Sequence, residues 1–208
     1  MAGLVKNEFL TMRKVIFLYG AVLVVYYLMG MFLSARMSGV QVFAVFFAGM
    51  LVISSFSYEE KSGWNVYVNV LPVSRAQIVM SKYVFSLVCT VAAGAFGTLI
   101  QCAMNVAKQI PAFQEVWVAW IAVMVASLFL AVVLPVLFKA GAEKSRVILM
   151  MIFLIPFAAA IIIEKMGIKI DLSMERLVEL LPFFGLGTVV FLLISCVISI
   201  EIYKRKEF

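Results

Sequence analysis

Histidine is absent from this 208-residue sequence, and charged residues make up only 13% of it. The lack of imidazole removes the commonest metal ligand and the commonest general base in proteins. Three cysteines occur in no Cys-x-x-Cys or Cys/His spacing, and all of them lie within apolar runs: Cys89, Cys102 and Cys196. We expect small buried hydrophobes rather than a disulfide, and we predict no metal site.

Catalytic and nucleotide-binding motifs are also lacking. The sequence has no Gly-x-x-x-x-Gly-Lys-Ser/Thr phosphate loop, and its nearest fragment, residues 141–145, lacks the loop's length and second glycine. It has no His-Glu-x-x-His motif, no Gly-x-Ser-x-Gly motif and no nucleophile paired with a base. The sequence therefore predicts a chain that is not an enzyme and has no catalytic residue or cofactor of its own.

Apolar residues dominate what is present, at 65% of the sequence, with a mean hydropathy of +1.14. A soluble domain averages about 45–50% apolar residues, so lipid must be the main solvent here. Long unbroken apolar runs are typical of membrane helices, whereas a membrane barrel would show short segments of alternating polarity. We predict an all-α membrane protein, with residues 1–208 as a single transmembrane domain.

Basic residues give the chain a net charge of +6. Most of them flank the apolar runs, where membrane orientation and anionic lipid headgroups account for them, so we expect the bilayer as a partner and no nucleic acid. Placing both termini in the cytoplasm puts most lysines and arginines on the inner side, which favours that topology. Six apolar stretches are long enough to span a bilayer: Val15 to Leu33, Val40 to Ser57, Ser81 to Met104, Val116 to Phe138, Val147 to Ile163 and Pro182 to Tyr203.

Two segments outside these spans have amphipathic patterns. Residues 1–14 are predicted to form an N-terminal helix on the inner membrane surface, and the alternative is a simple extension of the first span. Residues 164–181 are predicted to form a short external helix between the fifth and sixth spans, which re-enters the membrane at Pro182. The alternative there is an extension of the sixth span.

The most informative connection is residues 58–75, between the second and third predicted spans. Its apolar residues recur at the spacing of a short amphipathic helix: Trp64, Tyr67, Val68 and Leu71. Pro72 cannot continue that helix and biases the preceding residue away from the α conformation. Ser74 and Gln77 then form a capping box that predicts the start of the next helix, with a hydrophobic staple between Val73 and Ile78.

Two interpretations of this connection remain open on physical grounds. Its aromatic residues lie beside Glu59, Glu60 and Lys61, an arrangement suited to docking into the groove of a partner protein. Alternatively, it is an interfacial helix whose Trp64 and Tyr67 lie at the level of the lipid headgroups.

Acidic residues are nearly absent from the predicted spans; Glu59, Glu164 and Glu201 lie at the ends of spans. Transporters driven by ion gradients usually carry buried ionisable groups or broken helices near the midplane. The sequence therefore indicates no energy source within the chain, and we expect that a partner supplies the work of any transport.

The sequence resembles the transmembrane subunit of type-2 ABC exporters, specifically the small bacterial permeases. The resemblance covers the whole chain and is sharpest in the run Tyr58-Glu-Glu-Lys-Ser-Gly-Trp64, in Leu71-Pro-Val-Ser-Arg75 and in Ser81-Lys-Tyr83. It implies a coupling helix at residues 63–71 that docks into a separate ATPase subunit, which would bind the ATP and magnesium. It also implies two permeases, either two copies of this chain or this chain with a paralogue, together with two ATPases in the plasma membrane of a bacterium.

The resemblance implies roles for individual residues of the coupling segment. Trp64, Tyr67 and Leu71 would be apolar anchors. Glu59, Glu60 and Lys61 would make polar contacts with the ATPase or brace the end of the second span. Gly63 and Arg75 complete the set of residues expected to couple the chain to the ATPase.

Cargo is indicated only by the scarcity of polar residues within the predicted spans. The polar candidates for a translocation path are Ser54, Ser55, Gln101 and Asn105, and the alternative for each is a hydrogen bond between helices. Such a path suits an amphipathic or hydrophobic cargo, such as a peptide, bacteriocin, drug or lipid-like molecule. Two other functions remain open: a transporter or channel that needs no ATPase, and a membrane scaffold or immunity protein.

Overall fold

A computed structural model describes the backbone of residues 1–32, 37–107, 109, 111, 116–165 and 174–206. Within these ranges the ordered elements are all helical, and none is a strand. The described ranges contain six α-helices and a 3₁₀ helix at Val68–Val70, which follows the third of them. The α-helices are α1 (Ala2–Phe32), α2 (Met37–Ser62), α3 (Trp64–Tyr67), α4 (Arg75–Ala107), α5 (Val116–Lys165) and α6 (Met174–Lys204).

Four helical stretches among the described residues are long and apolar enough to cross a membrane: Ala2–Met29, Arg75–Val106, Val116–Ser145 and Leu181–Lys204. They coincide with the first, third, fourth and sixth predicted spans. The second predicted span lies in α2 and the fifth in the later part of α5. Much of the second span's side chains and all of the fifth's lie outside the described residues. The count of six therefore stays a prediction.

The two amphipathic segments are continuous with neighbouring spans. Residues 1–14 continue without a break into the first predicted span, because α1 is one helix. Of the predicted external segment, residues 166–173 lie outside the described part of the chain. Residues 174–181 belong to α6, and Pro182 lies inside that helix rather than at its start. Neither segment forms a separate helix where the chain is described, and their position relative to a membrane surface stays a prediction.

Gly141 divides α5 into two arms. Its backbone angles, φ 78° and ψ 173°, lie in a region that is essentially restricted to glycine. The Ser145 hydroxyl donates to the Val136 carbonyl at 3.3 Å, although nine residues of straight helix would separate them by about 13 Å. The chain therefore bends sharply back at Gly141, so the predicted connection between the fourth and fifth spans reduces to this one turn.

The first arm of α5 forms the centre of the bundle. More than half of its apolar window is buried, whereas almost none of the window of α1 is buried. The main core packs α2, α4, α5 and α6 together around edge-to-face aromatic contacts, with Phe138 in the middle. Its ring centroid lies 5.0 Å from that of Phe56 and 5.5 Å from that of Tyr203. This core lies directly behind the connection between α2 and α4.

Candidate functional site

Ionisable side chains converge at one end of the bundle, where α1 and α4 begin and where α2 and α6 end. We call this the charged end and define it as residues 1–14, 54–82, 138–145 and 199–206. It contains the whole segment 58–75 that the sequence singled out. The helix that begins at Trp64 lies here, in contact with the end of α2, and Trp64 itself packs against the main core.

The C-terminus of α2 sets the direction of the segment. α2 continues to Ser62, so Glu59, Glu60 and Lys61 belong to its last turn rather than to a loop. Gly63 then adopts a left-handed conformation, with φ 70° and ψ 9°. Open space surrounds the position where its Cβ would lie, so the backbone angle and not crowding favours glycine. This single residue ends α2 and starts α3 in a new direction.

The predicted return into α4 is confirmed. The Ser74 hydroxyl accepts from the Gln77 backbone N–H at 3.2 Å, and the Gln77 side chain accepts from the Ser74 N–H at 3.1 Å. This reciprocal pair is the capping box, and α4 begins at Arg75, the residue after Ser74. Leu71 has an extended backbone, with φ −71° and ψ 151°, as expected before Pro72.

Three charged side chains bind the ends of neighbouring helices. The Glu60 carboxylate accepts from the Ala142 N–H at 2.7 Å and so caps the second arm of α5 just after its turn. Arg75 donates to carbonyls at the C-terminus of α6, including that of Lys204 at 2.5 Å. Lys206 donates to the Phe138 carbonyl at 3.1 Å, near the end of the first arm. Each pairing satisfies helix-end groups that would otherwise be unpaired and matches the charge to the helix dipole.

The surface of α3 and its 3₁₀ extension has an apolar outer side. Val66, Tyr67 and Val70 are 60%, 59% and 80% exposed, and we call these three residues the outer ridge. Trp64 and Leu71, predicted as anchors with Tyr67, are half-buried and pack against the main core. The predicted stripe therefore divides, with one part holding the segment to the bundle and Tyr67 facing outward.

The inner side of the segment is held firmly. Val68 is 2% exposed within the main core. The Asn69 amide donates to the Tyr203 hydroxyl of α6 at 3.2 Å and to the Asn65 carbonyl at 2.6 Å. A buried apolar contact and a hydrogen bond between elements thus fix the orientation in which the outer ridge is presented.

A buried ionic cluster lies behind the segment. The Lys82 ammonium of α4 is 2.7 Å from a carboxylate oxygen of Glu8 in α1 and 2.7 Å from one of Glu59 in α2. It also donates to the Ser55 hydroxyl at 2.6 Å, and that hydroxyl donates to the other Glu8 oxygen at 2.7 Å. Glu8, Lys82 and Glu59 are all less than a tenth exposed. We call them, with Ser55, the ionic cluster.

Burial raises the pKa of Glu59 to about 7, since desolvation penalises its charged form. The Lys82 ammonium lowers this pKa and the Glu8 carboxylate raises it, so the attraction offsets only part of the burial effect. The Lys82 ammonium also lies 4.9 Å from the centre of the Phe56 ring, a cation–π contact. Glu59 therefore changes charge near neutral pH.

Sequence reasoning did not identify the ionic cluster as a site. The sequence patterns place Glu8 only within the amphipathic segment 1–14. They indicate Lys82 only as a basic residue beside an apolar run and as part of the run Ser81-Lys-Tyr83. One signal was present: Glu8 lies at helical spacing from Leu4 and Met12, residues that pack into the bundle. A carboxylate in such a stripe requires a buried cationic partner.

The four residues predicted to line a translocation path do not meet at one place in the structure. Ser55 belongs to the ionic cluster, while the Ser54 hydroxyl donates to the Met50 carbonyl at 3.1 Å. Gln101 donates to the Asn105 side chain at 3.0 Å, and it lies about 28 Å along α4 from Lys82. Each of the four has a hydrogen-bond partner within the protein. Their role in translocation stays a prediction.

Comparison with known protein families gives one match. The family described as ABC-2 family transporter protein matches residues 3–204, nearly the whole chain. No curated protein and no solved structure matches the chain. The matched span includes every residue of the outer ridge and of the ionic cluster.

Proposed function

The chain belongs to the ABC-2 transporter family, and from this premise we propose that it is the permease subunit of an ATP-driven exporter. In this proposal a separate ATPase subunit binds ATP and magnesium, and the segment 58–75 transmits its movement to the helical bundle. Two permease copies and two ATPases form the working unit in a bacterial plasma membrane. Both termini and the charged end face the cytoplasm, where ATP is available.

The outer ridge is the observation that carries this proposal. Val66, Tyr67 and Val70 project apolar surface from a four-residue helix and its short extension, at an end of the molecule rich in charge. A connection between two membrane helices needs only a few turn residues, so a built projection suggests a partner. Exposed aromatic and aliphatic side chains beside charges are typical of protein-binding surfaces.

The fixing contacts suggest how movement would spread from this ridge. A push on α3 would reach α6 through Asn69 and Tyr203, and α5 through Glu60 and the Ala142 N–H. It would reach α4 through the short link that ends at the capping box. Because packed helices move as rigid bodies, a displacement at the ridge is transmitted rather than absorbed locally.

The proposed cargo is amphipathic or hydrophobic, such as a peptide, bacteriocin, drug or lipid-like molecule. The exposed side chains of the described spans are mainly apolar, as on α1 and α6. An ion or a sugar would require a polar lining to replace its hydration. The apolar character of these exposed surfaces supports a cargo that is itself partly apolar.

The test removes the outer ridge without touching the core. Tyr67→Ala combined with Val70→Ala should weaken binding of the partner ATPase by about 30-fold or more. Copurification and the ATPase activity of the complex in lipid nanodiscs measure this. A soluble phosphate-loop protein encoded in an adjacent reading frame would be the ATPase to test. We expect the double variant to keep its helical circular dichroism, because both side chains point outward.

Leu10→Ala is the matched control, since Leu10 is 55% exposed at the same end but lies outside the ridge. It should leave copurification and hydrolysis unchanged. Unchanged binding by the ridge double variant would contradict the proposal. Transport by the purified chain without any ATPase would instead favour an independent transporter, and an ATPase unaffected by the chain would favour a scaffold.

A further inference from the structure

The ionic cluster contains unequal numbers of opposite charges. Glu8 and Glu59 both contact the Lys82 ammonium at 2.7 Å, and no other cation contacts this ammonium's two carboxylate partners among the described residues. With all three groups ionised the cluster would have a net charge of −1. An uncompensated charge in a buried site is costly, and two carboxylates that share a site rarely both ionise.

The geometry indicates where the balancing proton would lie. The carboxylates of Glu8 and Glu59 both contact the Lys82 ammonium at 2.7 Å, so the two acids share one buried site. A proton on one of two carboxylates that share a site removes the repulsion between their charges. Both Glu8 oxygens have a partner, since Lys82 contacts one and Ser55 donates to the other, and Lys82 contacts one oxygen of Glu59. A balancing proton would therefore lie on the second oxygen of Glu59.

We propose that Glu8, Lys82 and Glu59 form a proton-binding site that joins the cytoplasmic ends of α1, α2 and α4. With one proton bound the cluster is neutral, and it holds the three helices together. Loss of that proton leaves a buried negative charge and weakens the joint. Its ligand is a single proton, exchanged with the cytoplasm.

Other groups face Glu59 from each neighbouring element. α1 contributes Glu8 and α4 contributes Lys82, while α6 contributes the hydroxyl of Tyr203. The wall of the adjoining cavity also includes Glu60 of α2 and Lys206 beyond α6; α3 contributes Trp64 and Asn65, and α5 contributes Leu137 and Phe138. Glu60 and Lys206 are bound to helix ends, to the Ala142 N–H and the Phe138 carbonyl. They therefore leave the charge balance of the three-residue cluster unchanged.

A small cavity beside the ionic cluster has room for water. The cavity beside Glu8, Glu59 and Lys82 has a volume of about 20 Å³, which is room for about one water molecule. A site of this size admits water without becoming bulk solvent. The raised pKa of Glu59, about 7, places the exchange within the range of cytoplasmic pH.

The functional consequence rests on the proposed coupling role. Glu59 lies in the last turn of α2, four residues before Gly63, so the cluster fixes the base of the segment that carries the outer ridge. The protonated cluster would hold that segment rigidly against the bundle. The deprotonated cluster would let the segment move, so coupling to the ATPase would weaken as cytoplasmic pH rises.

The test measures thermal stability of the purified chain alone in lipid nanodiscs, between about pH 5 and pH 8.5. A carboxyl whose pKa is raised by folding contributes stability below its unfolded value, and that stability is lost as pH rises through about 7. We expect the Tm to fall by several degrees across this range. The absence of histidine removes the usual background titration near pH 6.5.

Two variants assign the titration to the cluster. Glu59→Gln imitates the protonated acid and should make the Tm nearly independent of pH, whereas Glu143→Gln, at an exposed carboxylate, should titrate like the parent chain. Infrared difference spectra of the parent chain should show a carboxylic-acid C=O band at pH 6 that disappears at pH 8. This measurement decides the question even if Glu59→Gln does not fold.

A parent chain with a pH-independent Tm and no such band would overturn the proton site. So would a Glu59→Gln variant that keeps the full pH dependence. None of these measurements uses an ATPase, so failure here leaves the coupling function untouched. Conversely, loss of ATPase binding in the ridge variant would leave the proton site untouched.

Discussion

Two neighbouring residues of α4 connect this helix to others through contacts of different chemistry, and we call each set of contacts a joint. Lys82 enters the ionic cluster and links α4 to α1 and α2 through charges. Tyr83 turns to the other side, where its hydroxyl lies 2.6 Å from that of Ser195 and 2.8 Å from that of Ser199 in α6. The Ser195 hydroxyl in turn donates to the Ala131 carbonyl of α5 at 2.5 Å. One joint is ionic and the other is made of neutral hydroxyls.

The difference shows which contacts between helices depend on pH. A hydroxyl both donates and accepts, so the Tyr83 joint is satisfied at any physiological pH. The Lys82 joint requires that charges balance, and it changes when a proton leaves. We therefore expect the hydroxyl contacts among α4, α5 and α6 to be independent of pH, whereas the ionic contact that joins α1 and α2 to α4 depends on it.

Lys82→Met should have the largest effect on stability, because it leaves the buried carboxylates of Glu8 and Glu59 without a cation. Removing one partner of a buried ion pair typically costs about 3–5 kcal/mol. We expect a loss of this size in the free energy of unfolding, measured by denaturation in mild detergent. Lys144→Met, at an exposed lysine of the same end, should change it little. A loss below about 1 kcal/mol for Lys82→Met would contradict a closed ionic joint.

Ser55→Ala should have a smaller effect on the same joint, since the two ion pairs with Lys82 remain. The hydroxyl bridges the Lys82 ammonium and the Glu8 carboxylate, and hydrogen bonds to charged groups contribute about 1.5–3 kcal/mol. We expect a loss of about 2 kcal/mol by the same denaturation measurement. Ser57→Ala is the control, because that hydroxyl bonds only the Ile53 carbonyl of its own helix. Equal effects of the two alanines would show that the bridge contributes nothing specific.

Tyr83→Phe should have the smallest effect on stability. It tests whether the hydroxyl joint is independent of pH, unlike the ionic joint. It removes neutral hydrogen bonds, each contributing about 1 kcal/mol, while Ser195 keeps the Ala131 carbonyl. We expect a loss of about 1–2 kcal/mol that is the same at pH 6 and pH 8. Tyr67→Phe removes an exposed hydroxyl and should be neutral. A loss that varied with pH would mean that the two joints are not independent.

Local features of the fold could be predicted because their causes are local. The capping box at Ser74 and the extended backbone before Pro72 depend only on side chains within a few residues. Gly141 lies in the predicted connection between the fourth and fifth spans, but the sequence does not predict that this connection is a single turn. The single turn depends on Glu60 capping the second arm from a distant helix.

The candidate site was predictable in position but not in detail. The motif run that begins at Tyr58 located the segment, yet helical periodicity assigned Trp64, Tyr67 and Leu71 to one stripe. In the structure Trp64 and Leu71 pack partly against the core, and Val66 and Val70 join Tyr67 on the exposed side. Periodicity cannot decide this, because the helix changes to a 3₁₀ turn after Tyr67 and each side chain's direction shifts.

The apolar composition and the long unbroken apolar runs suffice to predict a helical membrane protein. A chain in lipid must satisfy its backbone hydrogen bonds internally, and a barrel would show alternating polarity instead. The meeting of Glu8, Ser55, Glu59 and Lys82 is visible only in the packed structure. These residues lie on three helices and are separated by up to 74 positions, and no local pattern encodes which helix faces another. Packing brings their charges out of water together. Burial then turns two acids and one lysine, ordinary residues in the sequence, into the proton-binding site that we propose.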